Sequence, residues 1–238
     1  MDFFNKSEQS ILLNAENIIV GFSGGVDSTL VLAATNQFLE AHNKKNCLTA
    51  LHVNHQTQSD SSSWQIHCEK FCKEHNINFS CKSVEIKESG QGYEAAARSA
   101  RLDIFNAFDE ATVIILGHHL DDQVETVFFR VLRGTGLKGL TGMQRHLKIK
   151  DKDFIRPLLH LTKEEIFKQA TEYKLSFIED QSNTDNAYSR NFLRNEIIPQ
   201  ISKRWPGAKK NTARMANLLA KQSSLYHRFL LELSLIHI

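Results

Sequence analysis

Ile18-Ile19-Val20-Gly21-Phe22-Ser23-Gly24-Gly25-Val26-Asp27-Ser28 is the stretch from which the fold follows. Its apolar run ends in a Ser-Gly-Gly turn, and the turn opens into a helix-like stretch from Thr29 to Leu39. Strand, glycine turn and helix start together form an anion cradle. Glycine lets the backbone approach a phosphate closely, and the first N–H groups of the helix point at it. Asp27 inside such a cradle would repel a bare phosphate. A divalent cation such as Mg2+, bridging carboxylate and phosphate oxygens, removes that conflict. The stretch is not the commoner nucleotide loop, because it lacks the Gly-Lys-Ser/Thr ending and its spacing. The competing reading is a tight turn that caps a helix through Asp or Ser.

Outward from this stretch, the first 130 residues alternate two patterns. Apolar runs predict strands over 17–22, 47–53, 79–86 and 112–117, and helical spacing predicts helices over 28–42, 61–76, 92–109 and 121–133. Continuous apolar runs suit strands buried on both faces, and the alternation predicts a doubly wound α/β fold with a parallel sheet. Ligands in such sheets bind at the carboxyl ends of the strands. The glycine loop, His52 to His55 and Gly117 to Asp122 all fall there.

Beyond Gly134 the pattern changes. A glycine-dotted loop (134–142) precedes what reads as a basic linker, Arg145 to Lys152, and then Phe154 to His160. Thr162-Lys-Glu-Glu165 reads as a capping box opening a helix. Residues 175–178 suggest a short strand, and the segment from Tyr188 onward reads as helix interrupted at Pro199 and Pro206. The apolar end, Leu231 to Ile238, reads as the edge of a longer protein or as non-native sequence.

With 238 residues and 41% hydrophobic content the chain can bury a full core. No apolar run approaches the ~18 residues of a membrane span. The start, Met1-Asp2-Phe3-Phe4-Asn5-Lys6, lacks the layout of a signal peptide, so a cytoplasmic location is expected. Cys47, Cys68, Cys72 and Cys81 are expected as reduced thiols, with neither a Cys-x-x-Cys nor a zinc set among them. Charge is uneven: residues 1–129 hold 9 Lys/Arg and 17 Asp/Glu, residues 130–238 hold 20 and 10. The basic half suggests a polyanionic partner, RNA first, or simply a lysine-rich solvated surface.

Asp122 and Glu125 are three apart at the start of a predicted helix, so their carboxylates share one face and suit an ammonium group. They could equally offset the helix macrodipole. His118 suits a phosphate or carboxylate contact, or a structural role. Arg98 and Arg101, one turn apart, either point at an anion or include a surface Glu94–Arg98 pair.

The loop resembles the pyrophosphate loop of the ATP pyrophosphatase superfamily, whose members split ATP between its α and β phosphates. Ser23-Gly-Gly-Val-Asp-Ser28, His52-Val-Asn-His55, Gly117-His-His-Leu-Asp-Asp-Gln-Val-Glu-Thr126 and Arg130-x-x-Arg-Gly-Thr-Gly136 occur in that order. Ile155-Arg-Pro-Leu-Leu159, Glu179-Asp-Gln-Ser-Asn-Thr-Asp185, Tyr188-Ser-Arg-Asn-x-Leu-Arg194 and Ile197-Ile-Pro199 follow. Together, over about residues 15–215, they resemble the catalytic domain of the tRNA(Ile)-lysidine synthase family. The resemblance implies an adenine nucleotide alpha hydrolase-like PP-loop fold. Its expected domain covers 1–215, with a helical linker over 216–238 as C-terminal extension toward further tRNA-binding domains.

Function is implied by the same resemblance. ATP adenylates the C2 oxygen of the wobble cytidine in tRNA(Ile) with a CAU anticodon, and the amine of free L-lysine displaces AMP. Ser23, Gly24, Gly25, Val26, Asp27 and Ser28 would hold the pyrophosphate end of ATP, with Asp27 on Mg2+. Leu51 to His55 would lie beside the adenosine. Asp122 and Glu125 would take the lysine, and Arg98 and Arg190 would complete the pocket or the RNA contact. No membrane partner is expected, and a homodimer stays open. The rival within the superfamily is a tRNA thiolase, which needs reactive or cluster-binding cysteines.

Overall fold

The computed structural model describes residues 3–54, 61–84, 93–109, 112–179 and 189–236. In chain order the elements are α1 (Lys6–Asn14), β1 (Asn17–Gly21), α2 (Val26–Ala41), β2 (Leu48–Asn54), α3 (Ser61–Glu74), β3 (Asn78–Ser83), α4 (Tyr93–Asn106) and β4 (Thr112–Ile115). There follow α5 (Leu120–Leu132), α6 (Leu137–Leu140), β5 (His146–Ile149), β6 (Lys152–Ile155), α7 (Lys163–Glu172), α8 (Ser189–Phe192), α9 (Ile198–Arg204) and α10 (Ala208–Ile236). They fall into two compact units.

The first unit, residues 1–117, 145–158 and 164–179, carries the whole sheet, in the order β3-β2-β1-β4-β6-β5. All neighbours run parallel except β5, which is antiparallel to β6 at one edge. Strand order reverses between β1 and β4, the switch point where α/β sheets open a crevice for ligands. The glycine loop follows β1 and Gly117 follows β4, so both belong to that crevice. Successive strand side chains point to opposite faces. Ile18, Ile19 and Val20 are nonetheless all buried, as are Val113, Ile114 and Ile115, so both faces are covered there. Ile19, Leu51, Phe105, Ile114 and Phe154 cluster on one of them. Such side chains stabilise by about 1.5–3 kcal/mol each when fully buried.

The structure replaces an expected linker with a strand and adds an N-terminal helix. Arg145 to Lys152 is not a linker: residues 146–149 form β5, which pairs with β6 across a turn at Lys150–Asp151. Its charged alternation is that of an exposed edge strand, blunted by lysine and by a His146–Asp153 pair at 2.6 Å. Arg145 itself is tied to the buried Glu8 of α1, at 2.7 and 2.9 Å. Residues 6–14, where no pattern predicts an element, form α1. There Asn5 and Glu8 make a reciprocal capping box, with N–H to side-chain oxygen distances of 2.9 and 3.0 Å.

The second unit, residues 118–144, 159–163 and 180–238, has only helices as regular elements among its described residues. Leu120 and Val124 of α5 pack with Leu193 and Ile198 in its core. Helix runs through Pro199 rather than stopping there, and ends at Trp205. Proline is tolerated in a first helical turn, and here it follows a π-helical turn, Leu193–Ile197, in which the ordinary ladder is already displaced. No helix among the described residues is long and apolar enough to cross a membrane.

Candidate functional site

The glycine loop is held from inside and from the side. Gly25 is the N-cap of α2, and its carbonyl accepts the first helical bond from the Thr29 amide at 3.0 Å. The Ser28 hydroxyl donates to the same carbonyl at 3.0 Å and accepts from the Ser23 amide at 3.2 Å. Ser23 and Ser28 hydroxyl oxygens lie 3.1 Å apart. The two serines therefore close the loop on itself and leave the amides of the first turn of α2 facing its concave side. Outside the loop, the Ile178 amide donates to the Gly24 carbonyl at 2.9 Å, and Ile178 forms a parallel bridge with Gly25. The short strand expected at 175–178 is thus a single bridge, made to the loop.

Two glycines are forced. Gly24 has φ +85°, and a Cβ there would lie 3.0 Å from Cys68 Sγ. A Cβ on Gly117 would lie 3.0 Å from the Asp27 carbonyl carbon and 3.1 Å from the Ser28 nitrogen. The β4 end thus abuts the first turn of α2, as the convergence of strand ends requires. Asp27 sits half-buried in that turn. Mg2+ takes one or two carboxylates and otherwise phosphate and water oxygens. The loop, with one carboxylate and two hydroxyls, fits such an ion. Among the described residues no group of three or more His, Cys, Asp and Glu could hold a metal, so a protein-only cage is not offered there.

At the end of β2, His52 is buried and turned inward, its Nδ1 2.9 Å from the Phe22 carbonyl. Burial lowers its pKa, with the Phe22 hydrogen bond acting the other way. Asn54 ends the strand, and His55 lies outside the described residues. The four cysteines are free thiols. Cys68 and Cys72 are buried, and burial pushes both up to about 12. Neither is a ready thiolate at neutral pH.

In the second unit, three carboxylates line the start of α5. Asp122 accepts the His119 amide at 3.0 Å. Asp121 accepts the Lys163 amide at 2.8 Å and is paired with Lys209. Burial alone would raise Asp121, but these two donors outweigh it and hold the carboxyl below the usual range. Glu125 is 2% exposed, and both its oxygens are taken by Arg194, at 2.6 and 2.9 Å. Arg194 also reaches Asp122 at 3.5 Å. Burial raises the Glu125 carboxyl, and the guanidinium only partly offsets this.

Arg190 lies one turn before Arg194, with its guanidinium carbon 5.9 Å from the Phe129 ring centre. It is thereby brought against the same helix as Asp122 and Glu125. Arg194 stood in the quoted motif without a role; its only sequence signal was the four-residue spacing from Arg190, which puts both on one helix face. The side chains of Arg98 and Arg101 lie outside the described residues, as do residues 180–185 of the Glu179–Asp185 motif.

A family model described as a PP-loop domain matches residues 2–201. Among curated proteins, one called tRNA(Ile)-lysidine synthase from Histophilus somni is 38% identical over 214 residues, 90% of this chain and 50% of the relative. A protein of the same name from Legionella pneumophila is 40% identical over 202 residues, 84% of this chain and 46% of the relative. A third, from Escherichia coli O157:H7, is 38% identical over 220 residues, 92% and 51% respectively. The chain thus spans about half the length of the curated relatives it matches. Among solved structures, a U34-tRNA thiolase from Methanococcus maripaludis shares the fold, with a TM-score of 0.66 at 20% identity, over 90% of this chain and 78% of that one.

Proposed function

The chain belongs to the PP-loop domain family, and on that premise we propose that it is an ATP-dependent carbon–nitrogen ligase that joins L-lysine to C2 of the wobble cytidine in tRNA(Ile) with a CAU anticodon, giving lysidine, AMP and diphosphate. The single observation that supports it most is the glycine loop: a strand-end cradle in which an added Cβ on Gly24, or on Gly117 beside it, would lie 3.0 Å from a neighbour, opening onto helix amides beside a carboxylate. The similarity to proteins called tRNA(Ile)-lysidine synthase adds the substrate class.

The chemistry is consistent with these groups. Cytidine C2 is a poor electrophile because its oxygen is a poor leaving group, and transfer of AMP to that oxygen makes it a good one. Ser23 to Ser28 hold the diphosphate end of ATP through backbone amides and hydroxyls. Asp27 would hold Mg2+, which would supply positive charge against the departing diphosphate. The acidic face of α5, Asp122 with Glu125, takes the lysine ammonium, and a carboxylate beside the amine accepts its proton before attack. Arg190 and Arg98 serve the pocket or the RNA. Lysidine pairs with A in place of G, so the codon read changes from AUG to AUA and the amino acid from methionine to isoleucine. A cytoplasmic site of action follows from the tRNA substrate.

The test is direct. The chain is incubated with ATP, Mg2+, radiolabelled lysine and a set of tRNA transcripts. Label is expected only in the CAU-anticodon species, with diphosphate released in equal amount. Asp27→Ala is expected to abolish both while keeping its fold by circular dichroism. Label in no transcript, or undiminished turnover in Asp27→Ala, would overturn the assignment or the metal role respectively.

A further inference from the structure

The acidic face that the proposed function assigns to the lysine amine already carries a cation of its own chain. Glu125 is almost fully buried, and Arg194 grips it through two parallel N–H···O bonds of 2.6 and 2.9 Å. The same guanidinium reaches Asp122 at 3.5 Å. Asp121 takes no part, being committed to Lys209. The His119 ring also lies 3.4 Å from Asp122, but among the described residues Arg194 is the guanidinium that spans both carboxylates. An external ammonium directed to these carboxylates meets Arg194 as a competitor for the same oxygens.

The segment that carries Arg194 is unusual. It belongs to the π-helical turn Leu193–Ile197, where the Ile198 amide bonds to the Leu193 carbonyl. A π turn holds one residue more than an α turn, and returning it to α geometry rotates a side chain by about 100° around the axis. Arg194 is therefore placed where a small change of ladder swings its guanidinium off Glu125. Its departure leaves Glu125 buried and bare, which is strongly unfavourable unless another cation arrives. An ammonium is a compact charge with three donors, able to reach both carboxylates on one helix face. A neutral side chain of equal length cannot substitute.

We propose that Arg194 is the resident counter-ion of this face and that the substrate ammonium takes its place, the guanidinium leaving on the π-helical turn. This rests on the lysine reading above. It makes the site selective for charge: only a cationic ligand completes the exchange.

Calorimetric titration of L-lysine into the 238-residue chain gives the first readout. Arg194→Met is expected to bind lysine about tenfold tighter than the unaltered chain, because nothing competes for the carboxylates. A folded Arg194→Met that binds no tighter overturns the proposal. Should Arg194→Met fail to fold, the unaltered chain decides by nitrogen-15 NMR. The Arg194 Nε–H signal, assigned by its loss in Arg194→Lys, is expected to be protected from solvent exchange. It should lose that protection on saturation with lysine and keep it with L-norleucine, which lacks the ammonium. Lysine binding with an unchanged signal removes the exchange and leaves the functional reading standing. Lysine binding by neither protein removes both.

Discussion

At the scale of single residues, burial decides which polar groups remain available to a ligand. His52 stands at a strand end facing the nucleotide loop in sequence, yet its ring is turned under the loop and bonded to the Phe22 carbonyl. Its lowered pKa carries a stability consequence. The unfolded histidine takes up a proton near the ordinary value of about 6.5, the folded one only at lower pH. Below about pH 6.5 the unfolded state therefore binds more protons, and stability present above that value is lost as pH falls through the folded pKa. The urea midpoint is expected to drop between about pH 7 and 5, and to drop less steeply in His52→Asn. Equal slopes in the two proteins would remove His52 as the cause. Among the candidate site residues, Ser23 to Ser28 were legible because strand, turn and helix are contiguous in sequence. Asp122 and Glu125 were legible as a pair, since three-residue spacing fixes a shared face. The Arg194 partner was not, because nothing local links a residue to a carboxylate 69 positions away.

At the scale of elements, the loop owes its curvature to neighbours on three sides, and its two glycines are not equivalent. Gly24 has a positive φ and presses on Cys68 and Ile178, whereas Gly25 has φ −72° and its nearest added-Cβ contact is 3.6 Å. Gly24→Ala should cost about 1–3 kcal/mol, from the left-handed backbone and the thiol contact together. Gly25→Ala should cost less than about 0.5 kcal/mol, since its backbone suits any residue. Urea denaturation of both variants checks this, and equal costs would mean that Cys68 and the backbone both yield. Strands β1, β2 and β4 were visible as apolar runs because most of their residues are buried, whereas β3 is an edge strand with none buried. The hairpin β5–β6 was not visible, since an exposed edge strand carries charge on every other position and reads as linker. Helix α1 escaped for a similar reason: its buried side chains are few, Leu12 and Glu8 among them, and Glu8 is buried only because Arg145 pairs with it.

At the scale of the whole molecule, the charge distribution bears on how the proposed tRNA substrate would be held. Residues 130–238 carry an excess of basic groups, 20 against 10, while residues 1–129 are acidic, 9 against 17. Each phosphate neutralised by Lys or Arg releases condensed counterions, so log K falls with log salt at a slope of about −0.7 to −0.9 per phosphate. A net charge of +2 over 238 residues leaves few unopposed cations for such contacts. The curated relatives have about twice the length, and hence further surface on which phosphates can be met. The 238-residue polypeptide is therefore expected to bind tRNA more weakly than the Escherichia coli relative at moderate salt, and with a shallower salt slope. Filter binding of one CAU-anticodon transcript to both proteins, at several salt concentrations, measures both quantities. Equal affinity with equal slope would mean that the segment matched here already makes all the phosphate contacts. Lower affinity with an unchanged slope would shift the difference to uncharged contacts, and the charge argument would fall while the catalytic one stood.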